Sequence, residues 1–198
     1  LLPVLLSTKS FLSKEKAKEI ADAGIVWEVQ FSIDSTVSEM ADYMVRANGY
    51  VDRIFSSIAN AREAGLRVAA KAVVTPYNIL SIPKLYRDLK ERGARTVRMA
   101  AYGRSGFHHT DDLYNHEESY KWLEKQIEEL RREFPDDYVN IQNGGPRFAL
   151  ADRKTRETMW PRRSTCSAGR SSMMICADGK VIPCEQIPET EEYFCGDV

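Results

Sequence analysis

Short β-rich runs alternate with amphipathic helical patterns along most of this chain, and the alternation constrains the fold more than any other feature. Five runs rich in β-branched and aromatic residues indicate strands, at residues 3–8, 26–34, 67–75, 96–102 and 138–143. Helical patterns lie between them. A strand followed by a helix and a further strand is typical of parallel βα units with right-handed crossovers. The sequence therefore predicts an α/β fold built on a parallel sheet.

Residues that favour helix ends mark the predicted helices. The first helix begins after Ser13, a suitable N-cap, and stops at Gly24. A later helix starts near Pro83, which the first turn tolerates, and stops at Gly93. The longest helical pattern ends before Pro135.

Apolar and polar side chains alternate along the strand runs. Successive side chains of a strand point to opposite faces, so each run has one apolar and one polar face. The apolar faces carry Val29, Phe31, Ile33, Val68, Ala70, Ala72, Val74, Val97, Met99 and Ala101. The opposite faces carry Gln30, Ser32, Asp34, Lys71 and Arg98. A parallel sheet covered by helices on both sides would be apolar throughout. We therefore expect a curved sheet or barrel whose inner face holds a polar ligand. The same alternation is equally consistent with polar groups that hydrogen-bond to one another or that face solvent.

Composition argues against several classes of function. The 198 residues carry a formal net charge of -1 without a basic stripe. We therefore expect no nucleic-acid partner and no attraction to an anionic membrane. The apolar opening LLPVLL is too short for a signal peptide or a membrane-spanning helix and favours a strand. These features predict a cytoplasmic protein, whose thiols stay reduced.

The cysteines are confined to the end of the chain. Their spacing, C-x9-C-x7-C-x10-C from Cys166 to Cys195, lacks the C-x2-C pairs of structural zinc sites. Iron–sulfur clusters accept wider ligand spacing. An Asp-Gly pair at residues 178–179 predicts a hairpin turn, after which Cys184 could reach a cluster. Cys176, on the preceding strand, is as consistent with a small buried residue as with a metal ligand.

Several of these segments, in this order, resemble radical S-adenosylmethionine (radical SAM) enzymes with a C-terminal SPASM auxiliary iron–sulfur domain. The segment LLSTKSFLSKEKAKEIADAGI is similar to the family's third strand and helix, and WEVQFSIDS to its fourth strand. GYVDRIFSSIANAREAGLRVAAKAVVTPYNI resembles the next helix, strand and loop, and VRMAAYGRSG the sixth strand with its glycine-containing loop. Cys166, Gly179 and Cys184 form C-x12-G-x4-C, which is similar to the opening signature of SPASM domains. The resemblance covers essentially the whole chain.

The resemblance implies a partial (β/α)6 radical SAM barrel, with parallel strands three to six, followed by the start of a small cysteine-bearing hairpin domain. Residues 1–145 would form the partial barrel, 146–165 a linker, and 166–198 the N-terminal part of the SPASM domain. The family's Cys-x3-Cys-x2-Cys loop, which holds a four-iron cluster, is absent from this sequence. We therefore expect a fragment of a longer enzyme that performs no radical chemistry alone.

The resemblance also assigns roles to single residues. Ser32 and Asp34 match positions that shape the S-adenosylmethionine pocket. Cys166 and Cys184 match ligands of the first auxiliary [4Fe-4S] cluster. Glu185 occupies the position of an acidic general base in relatives that mature sulfatases, although a solvated glutamate fits the sequence equally well.

In its complete form, an enzyme of this family cleaves S-adenosylmethionine to a 5′-deoxyadenosyl radical and abstracts hydrogen from a substrate. The resemblance implies a maturase-type oxidoreductase that acts on a peptide or protein and takes electrons from a flavodoxin or ferredoxin. Because Lys71 and Arg98 lie on the polar faces of their strands, they are also expected to contact the cofactor or the substrate. Cys195 is expected not to be a ligand.

Two further expectations follow from the sequence. The rival function is a non-catalytic α/β binding or scaffold module whose cysteine tail is stabilised by zinc. A strand at residues 3–8 without a neighbour on one side would form an open sheet edge, so we expect the chain to self-associate.

Overall fold

The computed structural model describes residues 4–102, 110–142, 168–170, 172–176, 178–184 and 191–198. These residues belong to two compact units, one built on a five-stranded sheet and the other on a three-stranded sheet. None of the helices in these ranges is long and apolar enough to cross a lipid bilayer.

Parallel strands form the sheet of the larger unit. They are β1 (Val4–Thr8), β2 (Val26–Ser32), β3 (Val68–Val74), β4 (Thr96–Ala101) and β5 (Ile141–Gln142). Their order in the sheet follows their order in the chain, and each neighbouring pair is parallel. This topology confirms the predicted parallel α/β fold, and it is consistent with a partial barrel. Within the described part of the predicted run, residues 138–142, Ile141 and Gln142 are the residues that pair with β4.

Helices connect the strands as expected for βα units. They are α1 (Lys14–Ala23), α2 (Ser38–Val45), α3 (Tyr50–Glu63), α4 (Ile82–Glu91) and α5 (Glu117–Glu133), with short 3-10 turns at Ile79–Ser81 and Asp111–Leu113. Helix α1 has the predicted ends: the Ser13 side chain accepts a hydrogen bond from the Lys16 N–H (3.2 Å), and Gly24 adopts the left-handed conformation (φ 67°). A side-chain cap of this kind contributes about 1 kcal/mol.

No sequence pattern indicates α2. Its N-cap residue, Val37, has no side chain that could accept a hydrogen bond, and Ala41 is the helix's buried residue, so both capping and amphipathic signals are weak. The helix ends at Arg46, whose φ of 54° lies in the left-handed region. The Asp42 carboxylate then accepts hydrogen bonds from the N–H groups of Gly49 (2.8 Å) and Tyr50 (2.9 Å), which joins α2 to the start of α3.

The face of the sheet that packs on the helices is the core of the larger unit. All ten residues predicted for the apolar face are buried, and Val29, Phe31 and Val74 are inaccessible to solvent. All of them except Ala101 belong to a core cluster with side chains of α3, α4 and α5, including Ile54, Ile58, Leu85, Leu123 and Leu130. Complete burial of one large aliphatic side chain contributes about 1.5–3 kcal/mol, so this layer accounts for much of the stability of the unit.

The smaller unit contains an antiparallel hairpin and a third short strand. The strands are β6 (Met174–Ile175), β7 (Lys180–Ile182) and β8 (Gly196–Asp197). The hairpin turns at the predicted Asp-Gly pair, where the Cys176 N–H donates to the Lys180 carbonyl (2.7 Å). Gly179 has a φ of 88°, and a Cβ there would lie 2.9 Å from the Val198 carbonyl oxygen. Glycine is therefore required by both conformation and space.

Candidate ligand-binding cleft

A cleft of about 860 Å³ lies at the carboxyl edge of the parallel sheet. Its base is formed by Asp34 after β2, Val73 and Thr75 at the end of β3, and Tyr102 after β4, and one wall is formed by α2. Ligands of parallel α/β folds bind outside the carboxyl ends of the strands, because loops from neighbouring strands converge there. A smaller cleft of about 330 Å³ between α1 and α3 is remote from these strand ends. The larger cleft is therefore the candidate functional site.

Asp34 extends the pairing of β2 with β3 by one side-chain hydrogen bond. The Ile33 N–H still donates to the Lys71 carbonyl (3.0 Å), and one residue later the Asp34 Oδ1 accepts from the Val73 N–H (2.7 Å). Burial raises the pKa of the Asp34 carboxyl group above its usual value, and the Val73 N–H and the charge of Lys9 only partly oppose this rise. The group therefore holds its proton to a higher pH than an exposed aspartate does.

Asn78 fixes the ends of β2 and β3 beneath the cleft. Its side chain is fully buried, and its Nδ2 donates to the carbonyls of Asp34 (2.7 Å) and Val73 (2.8 Å). Its Oδ1 accepts a hydrogen bond from the Thr75 N–H (2.8 Å). One amide therefore satisfies three backbone groups that the ends of the two strands would otherwise leave unpaired, and it holds Asp34 in place.

Aromatic and acidic side chains line the outer part of the cleft. The rings of Tyr43 on α2 and Tyr77 after β3 have centroids 5.8 Å apart and are tilted by 49°. Tyr43 is 68% exposed and Tyr77 48% exposed. Glu39 and Asp42 line the same cleft from α2. The sequence did not predict these residues, because the helix that carries three of them has no recognisable sequence signal.

Arg98 is engaged by other protein groups on the polar face of the sheet. Its Nη2 lies 2.6 Å from the Glu28 Oε2, and its Nη1 donates to the Gln30 Oε1 (3.1 Å). The Gln30 Nε2 in turn donates to the Ser7 Oγ (3.3 Å). Glu28 is only 5% exposed, so this carboxylate has a charged partner in place of water. In this part of the sheet the polar side chains therefore bind one another, which is one of the alternatives that the sequence pattern left open.

The other predicted cofactor residues lie on the same polar face. Among the described residues predicted to bind the cofactor, Asp34 lines the cleft, whereas Ser32, Lys71 and Arg98 do not. Ser32 and Lys71 pair across β2 and β3, and both are half-buried. The Ser32 carbonyl accepts a hydrogen bond from the Tyr50 hydroxyl. Ser32 is the last residue of β2 and lies two residues before Asp34 in the chain.

The described cysteines of the smaller unit do not form a metal site by themselves. Cys184, just after β7, and Cys176 are half-buried, and Cys195 is exposed. Within the described ranges, no three histidine, cysteine, aspartate or glutamate side chains converge in a way that could hold a metal ion. Cys166 and Glu185 lie outside the described residues. The roles of Cys166, Cys184 and Glu185 stay predictions.

The larger unit belongs to the class of parallel α/β folds whose ligand sites lie at the carboxyl edge of the sheet. No protein-family model matches the sequence, and no curated protein matches it. Solved structures do match it in fold.

SuiB from Streptococcus suis, solved with S-adenosylmethionine bound, superposes with a TM-score of 0.65 at 15% identity, over 96% of this chain and 44% of its own. SuiB bound to its precursor peptide SuiA superposes with a TM-score of 0.64 at 15% identity, over 91% of this chain and 42% of SuiB. The structure of anSMEcpe with S-adenosylmethionine and the Kp18Cys peptide superposes with a TM-score of 0.61 at 16% identity, over 98% of this chain and 53% of anSMEcpe. The likeness at this identity shows a shared fold, and this chain spans about half the length of those proteins or less.

Proposed function

We propose that this chain is part of a radical SAM enzyme with a SPASM domain, which modifies a peptide or protein substrate. The observation that carries the proposal is the cleft at the carboxyl edge of a sheet whose fold is shared with SuiB and anSMEcpe, both solved with S-adenosylmethionine. The complexes of SuiB with SuiA and of anSMEcpe with Kp18Cys support a peptide substrate. The complete protein would be an oxidoreductase of the maturase type that receives electrons from a flavodoxin or ferredoxin in the cytoplasm.

The cleft suits S-adenosylmethionine in size and in chemistry. Its volume of about 860 Å³ falls in the range of small-molecule sites, roughly 300–1,000 Å³. Carboxylate and tyrosine side chains at its base can accept hydrogen bonds from ammonium and hydroxyl groups and can contact a purine ring. When bound next to a reduced iron–sulfur cluster, S-adenosylmethionine supplies hydrogen-atom abstraction chemistry.

Each residue predicted for the cofactor has a distinct part in this proposal. Asp34 would contact the ligand directly, and Asn78 would hold the Asp34 backbone at the base of the cleft. Ser32 and Lys71 would contact the cofactor or the substrate from the deeper polar face. Arg98 is already bound by Glu28, so its proposed part is to order this face.

The tail is proposed to carry the start of an auxiliary cluster site. Cys166 and Cys184 would be ligands of a [4Fe-4S] cluster, and Glu185 would act as a general base. The support for these roles is the C-x12-G-x4-C spacing together with the hairpin that turns at Gly179. Residues 1–145 would form the partial barrel, 146–165 the linker, and 166–198 the beginning of the SPASM domain.

Binding of S-adenosylmethionine to the purified 198-residue chain tests the proposal. We expect Asp34→Ala to weaken binding about tenfold or more, because it removes the carboxyl group that can hydrogen-bond to a ligand at the base of the cleft. Asp22→Ala, which changes an exposed aspartate of α1, is the matched control and should bind as the wild type does. Titration calorimetry measures both. A folded wild-type chain that shows no binding at millimolar S-adenosylmethionine contradicts the proposal.

A further inference from the structure

Tyr43 and Tyr77 form an exposed aromatic pair at the outer side of the cleft, called here the tyrosine rim. Large aromatic side chains are usually buried over most of their surface, yet these two remain 68% and 48% exposed. They come from separate segments, α2 and the loop after β3, and both line the cleft. Their rings are tilted by 49° rather than stacked, so they do not cover each other's faces.

Carboxylates accompany the tyrosine rim on α2. Glu39 and Asp42 are three residues apart on the helix and so lie on one face, as do Glu39 and Tyr43. Hydrogen bonds from the Tyr50 and Gly49 N–H groups lower the pKa of the Asp42 carboxyl group, so this group stays ionised.

Among the described residues of the cleft lining, negative charges outnumber positive ones. Asp34 adds a third carboxyl group at the base, and Arg46 is the one basic residue of those described. Glu39 and Asp42 together therefore outweigh Arg46 even when Asp34 is protonated. A group that enters the cleft from solvent meets a field that favours cations.

We propose that the tyrosine rim and Glu39 hold a lysine or arginine side chain of the peptide substrate. This inference rests on the proposed function, since it names a feature of the peptide on which the enzyme would act. A cation within about 6 Å of a tyrosine ring centroid is attracted by the face of the ring. The aliphatic part of a lysine or arginine packs on the same rings while its charge reaches a carboxylate.

The position of the rim distinguishes a substrate side chain from the cofactor. Small-molecule sites bury about 70–90% of their ligand, and the enclosed part of this cleft is its base, at Asp34 and the strand ends. Tyr43 lies at the outer side, where most of its surface is open to solvent. A group held by the rim therefore remains accessible, as a side chain on a longer peptide must.

Exposed apolar residues also lie in the two chain segments that carry the rim. The Ser81 hydroxyl lies 3.7 Å from the Met40 Sδ, which brings the start of α2 against the 3-10 turn after β3. Val37 and Leu80, in these two segments, are 38% and 73% exposed. We therefore expect the preferred peptide to carry an apolar residue beside its basic one.

Binding of short peptides to the 198-residue chain tests this inference. The probes are an acetylated, amidated Ala-Lys-Leu-Ala peptide and matched peptides with norleucine or glutamate in place of lysine. Norleucine keeps the aliphatic chain and removes the charge. We expect the lysine peptide to bind about fivefold or more tightly than the norleucine peptide. Tyr43→Ala and Tyr77→Ala should each weaken binding of the lysine peptide about two- to fivefold.

Two further variants separate charge from general surface effects. Glu39→Gln should weaken binding of the lysine peptide about two- to fivefold and leave the norleucine peptide unchanged. Tyr138→Ala, which removes an 83% exposed tyrosine outside the cleft, should change neither affinity. Equal binding of the lysine and norleucine peptides, unchanged binding by Tyr43→Ala and Tyr77→Ala, or no binding of either peptide overturns the inference.

Binding of S-adenosylmethionine, measured on the same samples, separates this inference from the proposed function. Loss of S-adenosylmethionine binding in Tyr43→Ala and Tyr77→Ala would place the rim in the cofactor pocket, which overturns the inference and supports the proposed function. A wild-type chain that prefers the lysine peptide but never binds S-adenosylmethionine would contradict the proposed function and retain the cationic site. Circular dichroism confirms that each variant is folded.

Discussion

At the scale of single residues, Asn78 shows how one buried amide fixes the geometry of the cleft. It pairs with two carbonyls and one N–H at the ends of β2 and β3. We expect Asn78→Ala to lower the free energy of unfolding by roughly 2–4 kcal/mol, because it leaves these backbone groups buried and unpaired. Urea denaturation measures the change. Asn48→Ala, at an exposed position of the same cleft, is the control and should stay within about 0.5 kcal/mol of the wild type.

Asp34 should make the stability of the larger unit depend on pH. Its pKa is raised in the folded state, so between the unfolded value and the raised value the folded protein binds more protons than the unfolded one. The free energy of unfolding then falls as the pH rises through this interval. Above the raised pKa, the full free-energy cost of burying the ionised Asp34 carboxylate is present. Asp34→Asn keeps an oxygen that can accept from the Val73 N–H and carries no charge. We therefore expect the stability of this variant, relative to the wild type, to increase with pH and then to level off.

Urea denaturation of both proteins at a series of pH values from about 4 to 7.5 measures this difference; the lower limit is close to the ordinary pKa of aspartate. Two curves that stay parallel over the whole range would show that Asp34 has the same pKa in the folded and unfolded states. Such a result would show that burial does not raise the pKa of the Asp34 carboxyl group.

At the scale of elements, the sequence predicts a feature when the residues that determine it are close together in the chain. Helix α1 was predicted with both its ends because Ser13 and Gly24 act on their own neighbours. Helix α2 was missed because its cap, Val37, provides no hydrogen bond and its end relies on Arg46 in a left-handed conformation. The partner of Arg98 was missed for a different reason: Glu28 lies two strands away, and only the sheet register brings the two charges together.

The hairpin of the smaller unit leads to a prediction about metal binding. If Cys166 and Cys184 are cluster ligands, anaerobic reconstitution with iron and sulfide should give a brown protein whose colour is lost in Cys166→Ala and Cys184→Ala. Iron and labile sulfide analyses with absorption spectra measure it. Cys195→Ala is the control and should keep the colour, since Cys195 is exposed and is expected not to be a ligand. Stoichiometric zinc without labile sulfide would instead favour the scaffold function.

At the scale of the whole molecule, the two faces of the parallel sheet have different tasks. The helix-facing side is closely packed and supplies the stability, whereas the opposite side carries Glu28, Gln30 and Arg98 in mutual contact. The cleft lies where the polar side meets the carboxyl ends of the strands. Separating stability from the ligand site in this way lets the residues of the cleft vary without loss of the fold.

The edge of the sheet at β1 predicts the behaviour of the isolated chain in solution. Within the described residues, β1 pairs with β2 on one side, and Val4 and Leu5 are 42% and 45% exposed. An exposed apolar edge strand offers unpaired backbone groups to another chain. We therefore expect the 198-residue chain to associate as its concentration rises, which light scattering after size-exclusion chromatography measures. Leu5→Lys should shift the population towards monomer, because a charge on the edge opposes pairing.

Leu80→Lys is the matched control for this edge, since Leu80 is 73% exposed but lies in a 3-10 turn rather than in a strand. It should associate as the wild type does if backbone pairing at β1 drives association, because it leaves that edge unchanged. Equal loss of association in both variants would indicate general hydrophobic contact instead. A wild-type chain that remains monomeric at every concentration would show that the β1 edge is protected, which counts against an open partial barrel.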